Sequence, residues 1–160
     1  MDNTCVMVTM RVFVVLLSLW LLTVAERRLI IGDMTKFQVT IATGSISHAG
    51  THSHVFLAMT GDGGVTNDLN LNAENKHMFR QGQVDKVEVF APSVGHLRSI
   101  RIRHDTHGDD PSWYIETITI EDGVGVYEFP CHCWLSTKHG SGSLSTTVKL
   151  YKYTPLPHNG

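Results

Sequence analysis

Apolar and polar residues alternate with a period of two along most of the chain after residue 36, which is the pattern of half-buried β-strands. In the segment 99–103, Ile100 and Ile102 are predicted to face inward. The arginines that alternate with them, Arg101 and Arg103, are predicted to face solvent. The same pattern predicts strands at about 37–43, 54–60, 84–90, 97–103, 113–120, 124–130 and 144–151, with a shorter candidate near 67–71.

Clusters of glycine, proline and polar residues separate these predicted strands, as at 61–64, 80–83 and 138–142. No helical period continues past residue 36. About eight short strands with turns between them favour an antiparallel β-sandwich. In one strand Ile115 and Ile118 fall on opposite faces, so we expect a β-bulge or burial on both sides there.

Three groups of residues follow one another in a fixed order. The first contains Thr43-Gly44 and Ala49-Gly50-Thr51, the second is GHLRSIRIRHDTHGDDPSWYIETITI at 95–120, and the third is YEFPCHCWL at 127–135. Together they resemble the PLAT domain, also called the lipoxygenase-homology or LH2 domain, and the third group is similar to the form found in polycystin-1-like proteins. The resemblance covers about 37–150 and implies a sandwich of two four-stranded antiparallel sheets.

An apolar run, Val12 to Ala25, follows Arg11 and ends in small residues, which is typical of a cleavable secretory signal. The alternative is a membrane anchor, because the stretch from Val6 is nearly long enough to span a bilayer. Arginines after such an anchor would favour a cytoplasmic domain. That arrangement resembles polycystin-1-like receptors, so the chain could also be a fragment of such a receptor.

We therefore predict a signal peptide or membrane anchor at 1–25, a linker at 26–36, a PLAT domain at 37–151 and a loose tail at 152–160. A signal would place the protein in the secretory pathway as a secreted protein, and an anchor would attach it to a membrane.

The composition, with 42% hydrophobic and 18% charged residues, is that of a globular protein with a buried core. The net charge of −2 gives no basic field that would favour nucleic acid as a partner. PLAT domains accompany lipoxygenase and lipase catalytic domains, but the chain has no room for either. We therefore expect no enzyme activity.

Of the three cysteines, Cys5 lies ahead of the predicted cleavage site. Cys131 and Cys133 lie two apart on a predicted strand, so their side chains would share a face without easily forming a bridge. We expect buried free thiols packed near Trp134, with redox or metal roles as the alternatives. Trp113, which begins a predicted strand, is expected in the core.

The ten histidines raise the hypothesis of a zinc enzyme. The candidate ligands are His52, His54, His104, Asp105 and His107. The sequence does not favour this hypothesis, because no Glu or Lys is placed to act as a general base. Asp105 is instead expected to cap its own turn through backbone hydrogen bonds.

The PLAT resemblance implies a calcium site built from two loops. The first loop contributes Gly50 and Thr51, and the acidic loop contributes Asp109 and Asp110, whose carboxylates are the hard oxygen ligands that calcium requires. Calcium-binding members carry carboxylates directly after the first loop's threonine, where this chain has histidine and serine. We therefore expect weak calcium binding, and no cofactor is required.

The resemblance also implies contact with a membrane through the loop that contains Ile46. Arg98, Arg101 and Arg103, with Lys86 on a neighbouring strand, are predicted to form a basic face for anionic head groups. The alternative is a solvated sheet face with no ligand.

The sequence thus predicts a non-catalytic PLAT module that associates with lipid or membrane surfaces or with membrane-bound proteins. The alternative is a purely protein-binding module. The sequence does not indicate the partner or the oligomeric state.

Overall fold

The computed structural model describes residues 34–73, 77–107 and 112–157, and their regular structure consists of β-strands. The strands are β1 (Met34–Thr43), β2 (Val55–Gly61), β3 (Gly64–Val65), β4 (Leu69–Asn70), β5 (Val84–Pro92), β6 (Leu97–His104), β7 (Trp113–Glu121), β8 (Gly125–Leu135), β9 (Ser145–Lys149) and β10 (Lys152–Pro155). Across these ranges, no helix has the length and apolar character needed to cross a membrane.

The strands form two five-stranded antiparallel sheets. The first sheet has the order β10-β8-β7-β1-β5, and the second has the order β3-β2-β6-β9, with β4 also paired to β2. The antiparallel sandwich predicted from the sequence is therefore confirmed. The count of five strands, where we predicted four, comes from two short strands, β3 and β10, that add one strand to each sheet. The short strand predicted near 67–71 is β4.

The core lies between the two sheets. Ile100 and Ile102 face inward from β6 as predicted, and both are fully buried. Trp113 is also fully buried at the start of β7, which confirms its predicted place in the core. Its indole Nε1 donates to Thr43 Oγ1 at 3.1 Å, and its ring centroid lies 5.2 Å from that of Phe79. Trp113 therefore fixes one end of the sandwich by both packing and a hydrogen bond.

The predicted irregularity in β7 is a β-bulge. Thr43 on β1 pairs with Ile115 and Ala42 pairs with Thr117, so Glu116 has no partner on β1. The extra residue restores the alternation, and Ile115 and Ile118 are both fully buried.

The end of the described chain is not loose as predicted. Leu150 N donates to Arg98 O in the second sheet at 2.9 Å, and Tyr151 N donates to Glu128 O in the first sheet at 3.0 Å. Residues 152–155 then pair with β8 as strand β10. The chain therefore passes from one sheet to the other between two consecutive residues.

The predicted signal peptide or anchor at 1–25 lies outside the described residues, as does most of the linker at 26–36. The last three linker residues belong to β1, which begins at Met34. The strand thus starts three residues before the predicted domain boundary at residue 37.

Cys131 and Cys133 form a disulfide, so the prediction of free thiols is wrong. Along β8, Cys131 and His132 together lie opposite the single residue Glu116, and His132 has a φ of +47°. This kink brings the two Cα atoms to 5.1 Å, whereas alternate residues of a regular strand lie about 6.5 Å apart. The prediction failed because it assumed a regular strand.

Candidate functional site on the outer face of the second sheet

Arg101 and Arg103 lie side by side on the outer face of β6 and share one carboxylate, Asp68. Arg101 Nη2 donates to Asp68 Oδ1 at 2.8 Å, and Arg103 Nε donates to Asp68 Oδ2 at 2.8 Å. The Arg103 guanidinium also lies 4.1 Å from the ring centroid of Phe56 on β2, a cation–π contact that holds it against the sheet. The two arginines are therefore positioned by neighbouring strands.

A third cation, Lys149, lies on the adjacent strand β9. Ser99 pairs with Lys149 and Arg101 pairs with Thr147, so Lys149 is a diagonal neighbour of Arg101 on the same exposed face. We call Arg101, Arg103 and Lys149 the basic face. Sequence reasoning missed Lys149, although the alternation of Thr147, Val148 and Lys149 within the predicted strand at 144–151 was an available signal.

Asp68 is the carboxylate within this group. Its hydrogen bond from Arg103 lowers the pKa of Asp68, and the charges of both arginines lower it further, against a smaller opposing effect of burial. Asp68 therefore stays ionised at neutral pH. Three cations and this one carboxylate leave a net charge of +2 on the group.

The other predicted lipid-binding residues lie elsewhere. Arg98 forms a bidentate ion pair with Asp62, with Nε–Oδ1 at 2.5 Å and Nη2–Oδ2 at 2.8 Å. The Asp62 carboxylate therefore neutralises the charge of Arg98. Lys86 is on β5 in the first sheet, so the prediction that it neighbours β6 is wrong. Ile46 lies in the loop between β1 and β2 and is 46% exposed. The structure thus brings together only Arg101 and Arg103 of the predicted set.

Gly50 and Thr51, predicted as calcium ligands, have packing roles in the structure. A Cβ on Gly50 would lie 2.6 Å from the backbone nitrogen of Gln81, so only glycine allows this approach. Thr51 is buried, its N donates to Phe79 O at 2.9 Å, and its Oγ1 accepts from Ser53 N at 3.2 Å. Asp109 and Asp110 lie outside the described residues.

Asp105 caps its turn, as the sequence predicted. Its Oδ1 accepts from the backbone nitrogens of His54 and His107, both at 3.0 Å, and its Oδ2 lies 2.7 Å from His54 Nδ1. Both Asp105 oxygens therefore already have partners within the protein.

Of the zinc ligands considered above, His54 lies 2.7 Å from Asp105 Oδ2, and its ring centroid lies 5.0 Å from that of His107. His104 is buried, and its ring nitrogens lie 2.7 Å from Asp105 O and 3.0 Å from Leu135 O. Within the three described ranges, no group of three or more His, Cys, Asp or Glu side chains is arranged to hold a metal ion.

We expect Asp105 to contribute stability that is lost in acid. Burial raises the pKa of Asp105, but hydrogen bonds from His107 and His54 outweigh it and lower the pKa below its usual value. A lowered carboxyl pKa stabilises the fold above the unfolded-state pKa of about 3.9, and this contribution disappears as pH falls through the folded-state pKa. Melting temperatures of the protein and of Asp105→Asn, measured from neutral pH downwards, should therefore converge below about pH 4. If the difference between the two melting temperatures stays the same at every pH, the charge of the Asp105 carboxylate contributes nothing to stability.

The fold and the open, polar outer faces define an all-β sandwich domain. The sequence profile of the PLAT/LH2 domain matches residues 37–149, and the chain belongs to this family. The family recognised from the sequence motifs is therefore confirmed.

Relatives share this domain within much longer proteins. Lipoxygenase homology domain-containing protein 1 of Mus musculus is 35% identical over 122 residues, which is 72% of this chain and 6% of that protein. Polycystin-1-like protein 1 of Homo sapiens is 32% identical over 110 residues, which is 66% of this chain and 4% of that protein. The crystal structure of coral 8R-lipoxygenase matches 78% of this chain and 18% of its own, with a TM-score of 0.65 and 27% identity. The chain spans about one-twentieth of the length of these two curated relatives.

Proposed function

We propose that this PLAT domain is a non-catalytic module that associates with anionic membrane surfaces through its basic face. The observation that supports it is the placement of Arg101, Arg103 and Lys149 on one exposed sheet face, where the two arginines share one carboxylate. A Lys or Arg near an anionic lipid surface contributes about 1 kcal/mol of attraction. A net charge of +2 on one flat face suits a head-group layer.

Charge should contribute more to this association than insertion does. In the loop between β1 and β2, Ile46 is the large apolar side chain that the structure exposes, at 46%. About half of Ile46 is already buried, so insertion would gain only about half of the 1.5–3 kcal/mol that burial of a whole isoleucine side chain contributes. Electrostatic attraction at a surface is screened over about 8 Å at physiological salt, so the association should weaken steeply as salt rises.

The test is co-sedimentation with vesicles of phosphatidylserine and phosphatidylcholine, compared with vesicles of phosphatidylcholine alone. Asp68→Asn removes the negative charge between Arg101 and Arg103, so it should strengthen binding to the anionic vesicles about fivefold. Glu88→Gln is the matched control. Glu88 lies on the outer face of the first sheet, where its carboxylate forms an ion pair with Lys36, and this change should affect binding less.

Equal effects of Asp68→Asn and Glu88→Gln would reject the basic face as the contact. Salt-insensitive binding that Ile46→Ser abolishes would show that insertion is the main contribution. If no vesicle binds at any salt concentration, the protein-binding function described next is favoured.

A purely protein-binding role is the second candidate, and an exposed apolar pair favours it. Phe90 on the edge strand β5 is 60% exposed, and Met34 at the start of β1 is 53% exposed. In the antiparallel register of β5 and β1, Phe90 lies opposite Lys36 and Pro92 lies opposite Met34. The side chains of Phe90 and Met34 are therefore diagonal neighbours on one face of the sheet. Exposed aromatic residues beside an open strand edge suit a protein partner.

Calcium dependence is a separate proposal, supported by the coral 8R-lipoxygenase, which is described as activated by calcium through a C2-like domain. In this chain it rests on Asp109 and Asp110 without a third carboxylate, so we expect a Kd of about 10⁻⁴–10⁻³ M. A rise in melting temperature at millimolar calcium should appear in the natural protein and disappear in Asp109→Asn with Asp110→Asn. Absence of the rise in the natural protein would reject the proposal.

We also propose that the protein enters the secretory pathway, either secreted or held at a membrane by its N-terminal segment. The apolar run at 12–25 supports both forms. Sequencing the N-terminus of the expressed protein distinguishes them, because cleavage should leave a chain that begins near Glu26.

A further inference from the structure

The disulfide between Cys131 and Cys133 lies in an accessible place. Both cysteines are half-buried and line a groove of about 440 Å³ between β8 and β9. Val148, Leu150 and Lys149 border the same groove. A thiol compound that enters the groove therefore meets the disulfide beside an apolar wall and a cation.

The backbone around the disulfide is held in a conformation that its residues disfavour. His132 has a φ of +47°, in the left-handed region that a residue with a Cβ seldom adopts. Its ring Nδ1 lies 2.9 Å from Glu116 Oε2, the carboxylate opposite the bulge. The disulfide spans this residue, so breaking it would remove one of the two constraints on His132, the other being the bulge opposite Glu116.

The disulfide also closes a very short loop, with a sequence separation of 2. A cross-link restricts the unfolded chain less as its loop becomes shorter, so this one contributes little to holding the fold. Cys131 packs against the core that contains Trp113 and Phe129, and neither cysteine belongs to the buried cluster itself. Reduction should therefore leave the sandwich folded.

We propose that Cys131 and Cys133 form a thiol–disulfide exchange site whose co-reactant is a thiol, either a small anionic one such as glutathione or a protein dithiol. A thiolate of the co-reactant attacks one sulfur, the bond between the two sulfurs breaks, and the other cysteine leaves as a thiolate that takes up a proton. A second thiol resolves the mixed disulfide, so two electrons and two protons pass to the protein and the co-reactant becomes a disulfide.

Lys149 of β9 is one of the residues that border the groove. Trp134 follows Cys133 directly, and its ring centroid lies 5.3 Å from that of Tyr114 and 5.0 Å from that of His139. Relaxation of the bulge on reduction would shift Trp134 relative to both rings, so its fluorescence should change. This site does not depend on the proposed membrane function.

The experiment uses the full chain with Cys5→Ser, which leaves Cys131 and Cys133 as the remaining cysteines. The protein is equilibrated in mixtures of reduced and oxidised glutathione, and separately with a thioredoxin-type dithiol protein. Thiols are then alkylated and counted by mass spectrometry, and circular dichroism checks that the fold persists. We expect reversible reduction of the native protein with a parallel change in Trp134 fluorescence. Reduction by glutathione supports the small thiol, and reduction by the dithiol protein alone supports the protein source.

Three variants of His132 test the link to the bulge. His132→Gly accepts the left-handed backbone and should favour the disulfide, whereas the β-branched side chain of His132→Val should favour the dithiol. The oxidised-to-reduced ratio should differ between these two by roughly tenfold. His132→Asn tolerates the left-handed backbone without an imidazole and should stay near the natural protein.

Three results would overturn the proposal. They are free thiols under oxidising conditions, a disulfide that neither co-reactant reduces while the protein is folded, and equal ratios in the glycine and valine variants.

Discussion

Trp113→Ala is expected to lower the free energy of unfolding by about 3–5 kcal/mol, as other large core truncations do. Trp113 is fully buried at the end of the sandwich, where its ring packs against Phe79. The truncation would leave a cavity there and remove the donor to Thr43 Oγ1, which is itself in a buried residue. Both losses act in the same direction.

The measurement is urea denaturation followed by circular dichroism, because the variant lacks one of the fluorescent tryptophans. Trp134→Ala is the matched control, since Trp134 is only half-buried and its loss should cost less. Trp113→Phe should fall between the natural protein and the alanine variant, because it keeps most of the packing and loses the hydrogen bond. A loss below about 1 kcal/mol for Trp113→Ala would contradict its role in the core.

Replacing both Arg101 and Arg103 with glutamine is expected to weaken binding to anionic vesicles about 30-fold, which corresponds to about 2 kcal/mol for two charges at a lipid surface. The change leaves Lys149 opposed by Asp68, so the net charge of the group falls from +2 to zero. The affinity is measured at low and physiological salt, where the difference between the two proteins should shrink as salt rises.

The matched control replaces Lys36 and Lys86 with glutamine, the same change in charge on the outer face of the first sheet. If the control weakens binding as much as the arginine variant does, the net charge of the protein determines the affinity for anionic vesicles, and the basic face is not the contact surface. Melting temperatures of both variants are needed, because Arg103 also contacts the Phe56 ring.

The sandwich was predictable because alternation along a strand depends only on local sequence. Ile100 and Ile102 face inward as their spacing indicated, and the mismatch of Ile115 and Ile118 correctly indicated the bulge in β7. The edge strands β3 and β10 were not predicted. β3 is only two residues long and closes a tight hairpin with β2, so it has no alternation to detect. β10 is held by pairing to β8, which lies far along the chain, and this is not visible in a short segment.

The chemistry of the site was less predictable, because ion pairing depends on distant residues. Asp68 lies just before β4 and Arg103 lies near the end of β6, yet Arg103 Nη2 is 2.7 Å from Asp68 Oδ2. The disulfide was missed for a similar reason, since the kink at His132 is formed against Glu116 of the neighbouring strand. Sequence alone indicated the residue types and left their partners open.

The passage of the chain from the second sheet to the first at Leu150 and Tyr151 affects how the domain forms during synthesis. β9 pairs with the free side of β6 and β10 pairs with the free side of β8, so one side of β6 and one side of β8 stay unpaired until β9 and β10 have left the ribosome. Domains whose strands pair across long stretches of sequence fold slowly, and strand edges that are still unpaired promote aggregation during that time. A nascent chain that has reached only residue 144 lacks β9 and β10, so it should depend on chaperones until these two strands have been synthesised.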